Sequence, residues 1–202
     1  MIAKLKDFKT LEFFRNGETE VIPNFRDDKS KSLLVELKPN SFIELCNIYS
    51  LNREITEKSL EIYKNNKISN SKIEYCHPIL EKELNETYGI IIYSEQIENV
   101  IQNLANISST ESVKIRKELA KRNATEIQKY LILFKQGCLR NQLFIEQCSD
   151  LKIDAENCVN NIWSLINEKA VEVISFAYVL NYVSESYLQA MEIAHKKELI
   201  KF

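Results

Sequence analysis

The stretch NETYGIIIYSEQ, residues 85–96, holds one of only three glycines in a chain of 202 residues. It sets a polar, helix-compatible segment directly against four residues that favour extended backbone. A lone glycine there can take the left-handed conformation that ends a helix, and Ser94 can cap the next one. The stretch therefore reads as helix, cap, short buried link, helix. Its surroundings decide whether the rest of the chain agrees.

They do. SFIELCNIYSL (residues 41–51) has Ser41 and Glu44 at capping-box spacing, with Phe42, Leu45, Cys46 and Tyr49 on one helical face. Ser108 and Glu111 repeat the spacing before SVKIRKELAKR. Val159, Ile162, Trp163 and Ile166 form one apolar stripe, and Val173, Phe176, Ala177, Leu180, Tyr187 and Met191 a longer one, both read as core. Breaks fall at Asn16-Gly17, at Pro23, in NNKISNSK (residues 65–72), at Gly89 and over residues 148–154. The expectation is a mainly α fold with one or two short extended segments, near residues 21–25 and 90–93. It is a single region over 1–202, with 65–76 as its one place for a subdivision.

Composition narrows the function. Twenty-seven Lys and Arg against twenty-nine Asp and Glu give a formal charge of -2, so no global positive field draws the chain to nucleic acid or anionic lipid. Any such binding must come from a local patch. No apolar run approaches the roughly 20 residues of a membrane span, and residues 1–14 do not read as a signal peptide. Five cysteines without a Cys-x-x-Cys pair point to reduced thiols and a cytoplasmic setting. Two histidines without ligand-spaced neighbours argue against zinc, and His77, ahead of Pro78, reads as a capping or packing residue. Three glycines leave no material for a glycine-cradled phosphate site.

The densest positive charge is KIRKELAKR, residues 114–122. On a helix, Ile115 and Leu119 share the core face while Lys114, Lys117 and Lys121 line a neighbouring stripe, with Arg116 and Arg122 close by. Such a stripe is either a solvated face or a rigid set of cations for phosphates. The nine residues alone leave both readings open.

HPILEKELNETYGIIIYSEQ, residues 77–96, resembles a stretch of the bacterial C-family replicative DNA polymerases, the DNA polymerase III alpha subunits. That family reads His-Pro-x-Leu-Glu, Glu-Thr-Tyr-Gly and Tyr-x-Glu-Gln there, matched by His77, Pro78, Leu80, Glu81, Glu86, Thr87, Tyr88, Gly89, Tyr93, Glu95 and Gln96. The similarity continues in order. Gly17, Glu18, Thr19 and Phe25 resemble the family's Gly-Asp-Thr segment. Leu37, Lys38, Pro39, Ser41 and Phe42 resemble its Leu-Lys-Pro-x-Ser-Phe, and Arg116, Lys117, Lys121 and Arg122 its basic helix.

The resemblance covers nearly the whole chain and implies the family's helical fingers region. It makes Arg53, Arg116 and Lys117 candidates for nucleotide binding, and Lys114, Lys121 and Arg122 candidates for DNA binding. Primer-template DNA and nucleoside triphosphate are then weakly held ligands. A palm-bearing polymerase chain or another replication protein is the implied partner, with no membrane involved.

The same resemblance places the two catalytic metal ions on palm aspartates in an Asp-x-Asp signature. The five aspartates here, at 7, 27, 28, 150 and 154, form no such signature. We therefore expect no catalytic residue and no bound cofactor in this chain, Mg²⁺ entering only through a palm it lacks, and no nucleotidyl transfer by the chain alone. Further departures weaken nucleotide binding. NREIT (residues 52–56) replaces the family's Tyr-Arg-Pro-Gly-Pro, so that a helix can run through. VEVIS (residues 171–175) replaces Asn-Lys-Ser-His-Ala, putting Glu172 where a lysine would meet phosphate. Ala120 replaces a glycine, which lets the basic helix continue. The alternative function is a stand-alone, non-catalytic helical scaffold for protein or DNA.

Overall fold

The computed structural model describes residues 7–53, 55–69 and 72–199, with side chains through 196. Among them are eleven α-helices and no sheet, as a mainly α fold requires. The chain divides into two compact units: Met1–Asn70 with Ile174–Phe202, and Ser71–Val173.

The first unit contains α1 (Phe8–Arg15), α2 (Asp28–Leu37), α3 (Phe42–Leu51), α4 (Glu57–Ser69) and α11 (Phe176–Leu199). α3 is its centre, with every residue but Ile43 buried. Rings fill the space around it: Phe14 lies edge-on to Phe25 at 5.2 Å and stacks on Tyr187 at 6.2 Å, and Phe42 meets Tyr187 edge-on at 5.5 Å. Ser41 Oγ caps α3 by accepting from the Glu44 N–H, and the Glu44 carboxylate reaches back one residue further than a capping box, to the Asn40 N–H at 2.7 Å.

Several local expectations fail here, each for a visible reason. Residues 21–25 form consecutive turns rather than an extended piece: Ile22 N–H donates to Thr19 O, Phe25 N–H to Ile22 O, and the buried Thr19 hydroxyl closes the turn on Phe25 O at 2.6 Å. The polar residues 65–69 do not loop out, because α4 runs through Ser69; Asn70 and Ser71 lie outside the described residues. No helix runs through NREIT, since α3 stops at Leu51 and α4 starts at Glu57. The stripe on α11 is displaced: Val179, Val183, Tyr187 and Ala190 are buried, whereas Leu180 is exposed. That face runs about three turns at i, i+4 and i, i+3 spacing, and reading from Val173, which precedes the helix, set the register wrong.

The second unit contains α5 (Pro78–Leu84), α6 (Ser94–Ala105), α7 (Ser109–Ala120), α8 (Ala124–Arg140), α9 (Gln142–Asp150) and α10 (Ala155–Lys169). α6 packs against α5, α7 and α8. Its buried face (Ile97, Val100, Ile101, Leu104) meets Ile115 and Leu119 of α7, Tyr130 and Phe134 of α8, and the predicted stripe Val159, Ile162, Trp163 and Ile166 of α10 in one core. Gly137 allows the closest approach: a Cβ there would lie 2.3 Å from Ala105 O.

Residues 85–96 fold almost as read, except that Ser94 does not cap the next helix: it is the first residue of α6, and Tyr93 is the N-cap. α5 tightens into a short 3-10 turn at Asn85–Thr87, and both Tyr88 (φ 53) and Gly89 (φ 83) take the left-handed conformation. The cap thus uses a tyrosine as well as the glycine. Gly89 N–H donates back to Leu84 O at 2.9 Å, as in a Schellman closure. Ile90, Ile91, Ile92 and Tyr93 follow as a non-helical link with all four side chains buried. Four buried residues without helical bonding leave backbone donors in need of partners. Gln96 supplies them: its Oε1 accepts from Ile92 N–H (2.8 Å) and Tyr93 N–H (2.9 Å), while its Nε2 donates to Glu83 O (2.9 Å) and Thr87 Oγ1 (2.8 Å). Thr87 passes the connection on to Ile90 O at 2.6 Å.

Candidate nucleic-acid interface

The basic segment begins on a well-made helix. Ser108 Oγ caps α7 by accepting from the Glu111 N–H at 3.3 Å, and Ser112, Ile115 and Leu119 form its buried face. The remaining surface carries the cations, in two distinct situations.

Two arginines are built into the scaffold. Arg116 Nε donates to Glu98 Oε1 of α6 at 2.6 Å, with both side chains largely covered (19% and 14% exposed). Arg122 adopts φ 57 and sends both terminal nitrogens to the end of α10, Nη1 to Asn167 O at 2.7 Å and Nη2 to Glu168 O at 3.0 Å. Those carbonyls lack helical partners, and a cation at a helix C-terminus also meets the negative end of its dipole. α7 therefore ends at Ala120 with Lys121 as its C-cap, and alanine at 120 does not prolong it. The left-handed residue after the helix is Arg122, whose side chain is bonded to the α10 carbonyls.

Three lysines stay in solvent. Lys114 is 59% exposed and stands 3.9 Å from Glu111, and Lys121 is 65% exposed and 2.7 Å from Glu118. Lys117 is exposed, with no partner among the described residues. Exposed pairs of this kind contribute at most about 1 kcal/mol and are readily exchanged for a stronger anion. The segment can thus offer three ammonium groups without disturbing the two arginines that hold it.

The other positions singled out in the sequence fall elsewhere. Arg53, in the first unit, lies with its guanidinium 4.1 Å from the centre of the Tyr49 ring, a cation–π contact. Tyr49 stacks on Tyr182 at 6.3 Å, and Tyr182 meets Tyr178 at 4.6 Å with the rings tilted by 46°, an aromatic series that the sequence reading missed because it joins α3 to the exposed face of α11. Glu172 accepts from Lys169 at 3.0 Å, so the acidic replacement is held in a local ion pair. His77 is the N-cap of α5: its Nδ1 accepts from Ile79 N–H at 3.2 Å, its ring lies against Phe144, and burial lowers its pKa. Among the described residues no group of three or more His, Cys, Asp or Glu could hold a metal ion, and the aspartates present do not fit the family's paired-metal signature.

Fold, motif and basic helix converge with sequence comparison. The bacterial DNA polymerase III alpha subunit finger domain matches residues 2–142, and the chain belongs to that family. It is 28% identical over 184 residues to the DNA polymerase III subunit alpha of Staphylococcus aureus (strain Mu50), a match covering 90% of this chain and 17% of that protein. It is 30% identical over 136 residues to the DNA polymerase III subunit alpha of Halalkalibacterium halodurans, covering 67% of this chain and 12% of the relative. The chain therefore spans a small part of the relatives' length. No helix among the described residues is long and apolar enough to cross a membrane.

Proposed function

We propose that this chain serves DNA replication as a fingers module that holds primer-template DNA through Lys114, Lys117 and Lys121, in the cytoplasm. One observation carries the reading: three exposed ammonium groups sit on or at the end of a helix whose position is set by Arg116 on Glu98 and Arg122 on the α10 carbonyls. Cations on a rigid element meet backbone phosphates with little further ordering, and each phosphate neutralised releases counterions. Arg116 approaches a nucleotide's triphosphate only by sharing its Glu98 pair. Its main part in this reading is to position the helix, with Lys117 as the free phosphate contact. Arg53 is a separate candidate for nucleotide, its guanidinium already stacked on Tyr49. Nucleotidyl transfer would need aspartate-held metal ions from outside residues 1–202. Affinity for a fluorescent primer-template should fall at least tenfold when Lys114, Lys117 and Lys121 become alanine. Unchanged affinity would refute the assignment.

The second reading, a non-catalytic helical scaffold, draws on Glu172. A carboxylate replaces a lysine there and is bound to Lys169, which lowers the attraction for triphosphate. Equal binding of primer-template with and without nucleotide would favour it.

A further inference from the structure

In the Ser71–Val173 unit, residues of α5, α6 and α9 line a cleft of about 360 Å³. Clefts of roughly 300–1,000 Å³ are those in which proteins hold small ligands. Its walls are fixed. Asn141 donates from Nδ2 to Asn103 O (3.1 Å) and Leu104 O (2.9 Å) at the end of α6, and its Oδ1 caps α9 by accepting from the Phe144 N–H. The His77 ring lies 4.8 Å from the Phe144 ring, and both side chains are buried. Leu104 and the exposed Leu143 complete an apolar lining.

His77 has one donor left over. Its Nδ1 accepts from the Ile79 N–H, so the neutral imidazole carries its proton on Nε2. That N–H is buried and has no partner among the described residues. An unmet buried donor is destabilising until it meets an acceptor. Bulk solvent does not reach it, so the acceptor must be a group seated in the cleft that the ring lines. The other polar side chains set the charge of that group. Lys82 and Gln147 line the cleft, neither has a partner among the described residues, and no lining residue is acidic.

We propose that this cleft binds a small-molecule carboxylate with an apolar body, the carboxylate accepting from His77 Nε2–H with the Lys82 ammonium as its counter-charge, and the body lying against Phe144, Leu104 and Leu143.

One cation and one buried neutral donor match a single negative charge. A phosphate dianion would keep an unneutralised charge against an apolar wall, which is costly. Fixed walls also leave little to be ordered when the ligand enters. None of the α7 lysines lines the cleft, so the inference stands independently of DNA binding.

Titration of the isotope-labelled full chain with 1-naphthoate at neutral pH, followed by NMR, tests it. The His77 ring should show the Nε2–H tautomer before any addition, and saturable shifts should appear at that ring, at the Phe144 amide and at the Gln147 side-chain amide. Lys82 is exposed, so Lys82→Met should leave the fold intact. That variant should bind naphthoate about tenfold more weakly, the order expected for losing a charge-assisted contact. The wild type should bind neutral 1-naphthamide, and 1-naphthyl phosphate, more weakly than naphthoate. A His77 proton on Nδ1, no saturable shift at those groups, or equal affinity for naphthoate and naphthamide would overturn the proposal. So would tighter binding of the phosphate, or shifts produced only by an acidic peptide.

Discussion

Arg116 and Glu98 meet at 2.6 Å across α7 and α6, and the pair is covered well enough that neither partner can lose the other cheaply. An arginine prominent in a basic segment is here first a structural residue. Removing one partner of a largely buried pair leaves an uncompensated charge. Arg116→Ala should lower unfolding free energy by about 2–3 kcal/mol, read from urea melts. In a double-mutant cycle with Glu98→Gln the two losses should not add. Additive losses would show that the pair contributes nothing.

Gln96 carries a second prediction. Its amide makes four bonds, two of them to backbone donors of a buried, non-helical link. Gln96→Ala should cost about 2–3 kcal/mol through the donors left unsatisfied. Hydrogen exchange should accelerate at the Ile92 and Tyr93 amides before it does in α6. Protection unchanged at those two amides would contradict the assigned role.

Gly137 sets helix propensity against packing. Alanine inside a helix gains roughly 1 kcal/mol over glycine, yet the new methyl would sit 2.3 Å from Ala105 O and 2.7 Å from Ala105 Cβ. Backbone must move, and overpacking of that kind costs about 1–3 kcal/mol or more. Gly137→Ala should therefore destabilise the protein, and a raised melting temperature would be evidence against the close α6–α8 approach.

The buried His77 gives a pH dependence of definite sign. Burial holds its pKa below the ordinary 6.5, so the unfolded chain binds the proton more readily than the folded one. Its contribution to stability is present above about pH 6.5 and is lost as pH falls towards the lowered folded value. Protonating Nδ1 also removes the acceptor for Ile79 N–H. Urea midpoints at pH 7.5 and 5.5 should differ more in the wild type than in His77→Asn, which keeps a capping side chain without the titration. Equal pH slopes would show that His77 does not titrate in this way.

Much of this was legible in the sequence because it is local. Caps at Ser41 and Ser108, the core face of Ile115 and Leu119, and the break at Tyr88-Gly89 depend on neighbours within a turn or two. The family followed from ordered motifs. What stayed hidden needs distant partners. The division of labour along α7 depends on Glu98 and on α10 carbonyls, 18 and 45 or more positions away. α11 failed for a related reason: large apolar residues occur on both its faces, Val179, Val183 and Tyr187 buried but Tyr178, Leu180, Tyr182 and Leu188 exposed, so hydrophobicity alone could not select the buried register. The missing Pro-Gly-Pro and glycine signals suggested continuous helices, but side-chain bonds and solvent-exposed turns end α3 and α7 without them.

The central claim, that exposed lysines rather than the scaffold arginines carry DNA affinity, is tested most directly by the salt dependence of primer-template binding. Fluorescence anisotropy across a range of salt concentrations gives the slope of log affinity against log salt for the wild type and for Lys114→Ala/Lys117→Ala/Lys121→Ala. The account predicts weaker binding and a slope shallower by about one for each lysine that meets a phosphate, with the melting temperature unchanged. The same affinity and slope in both proteins would contradict it.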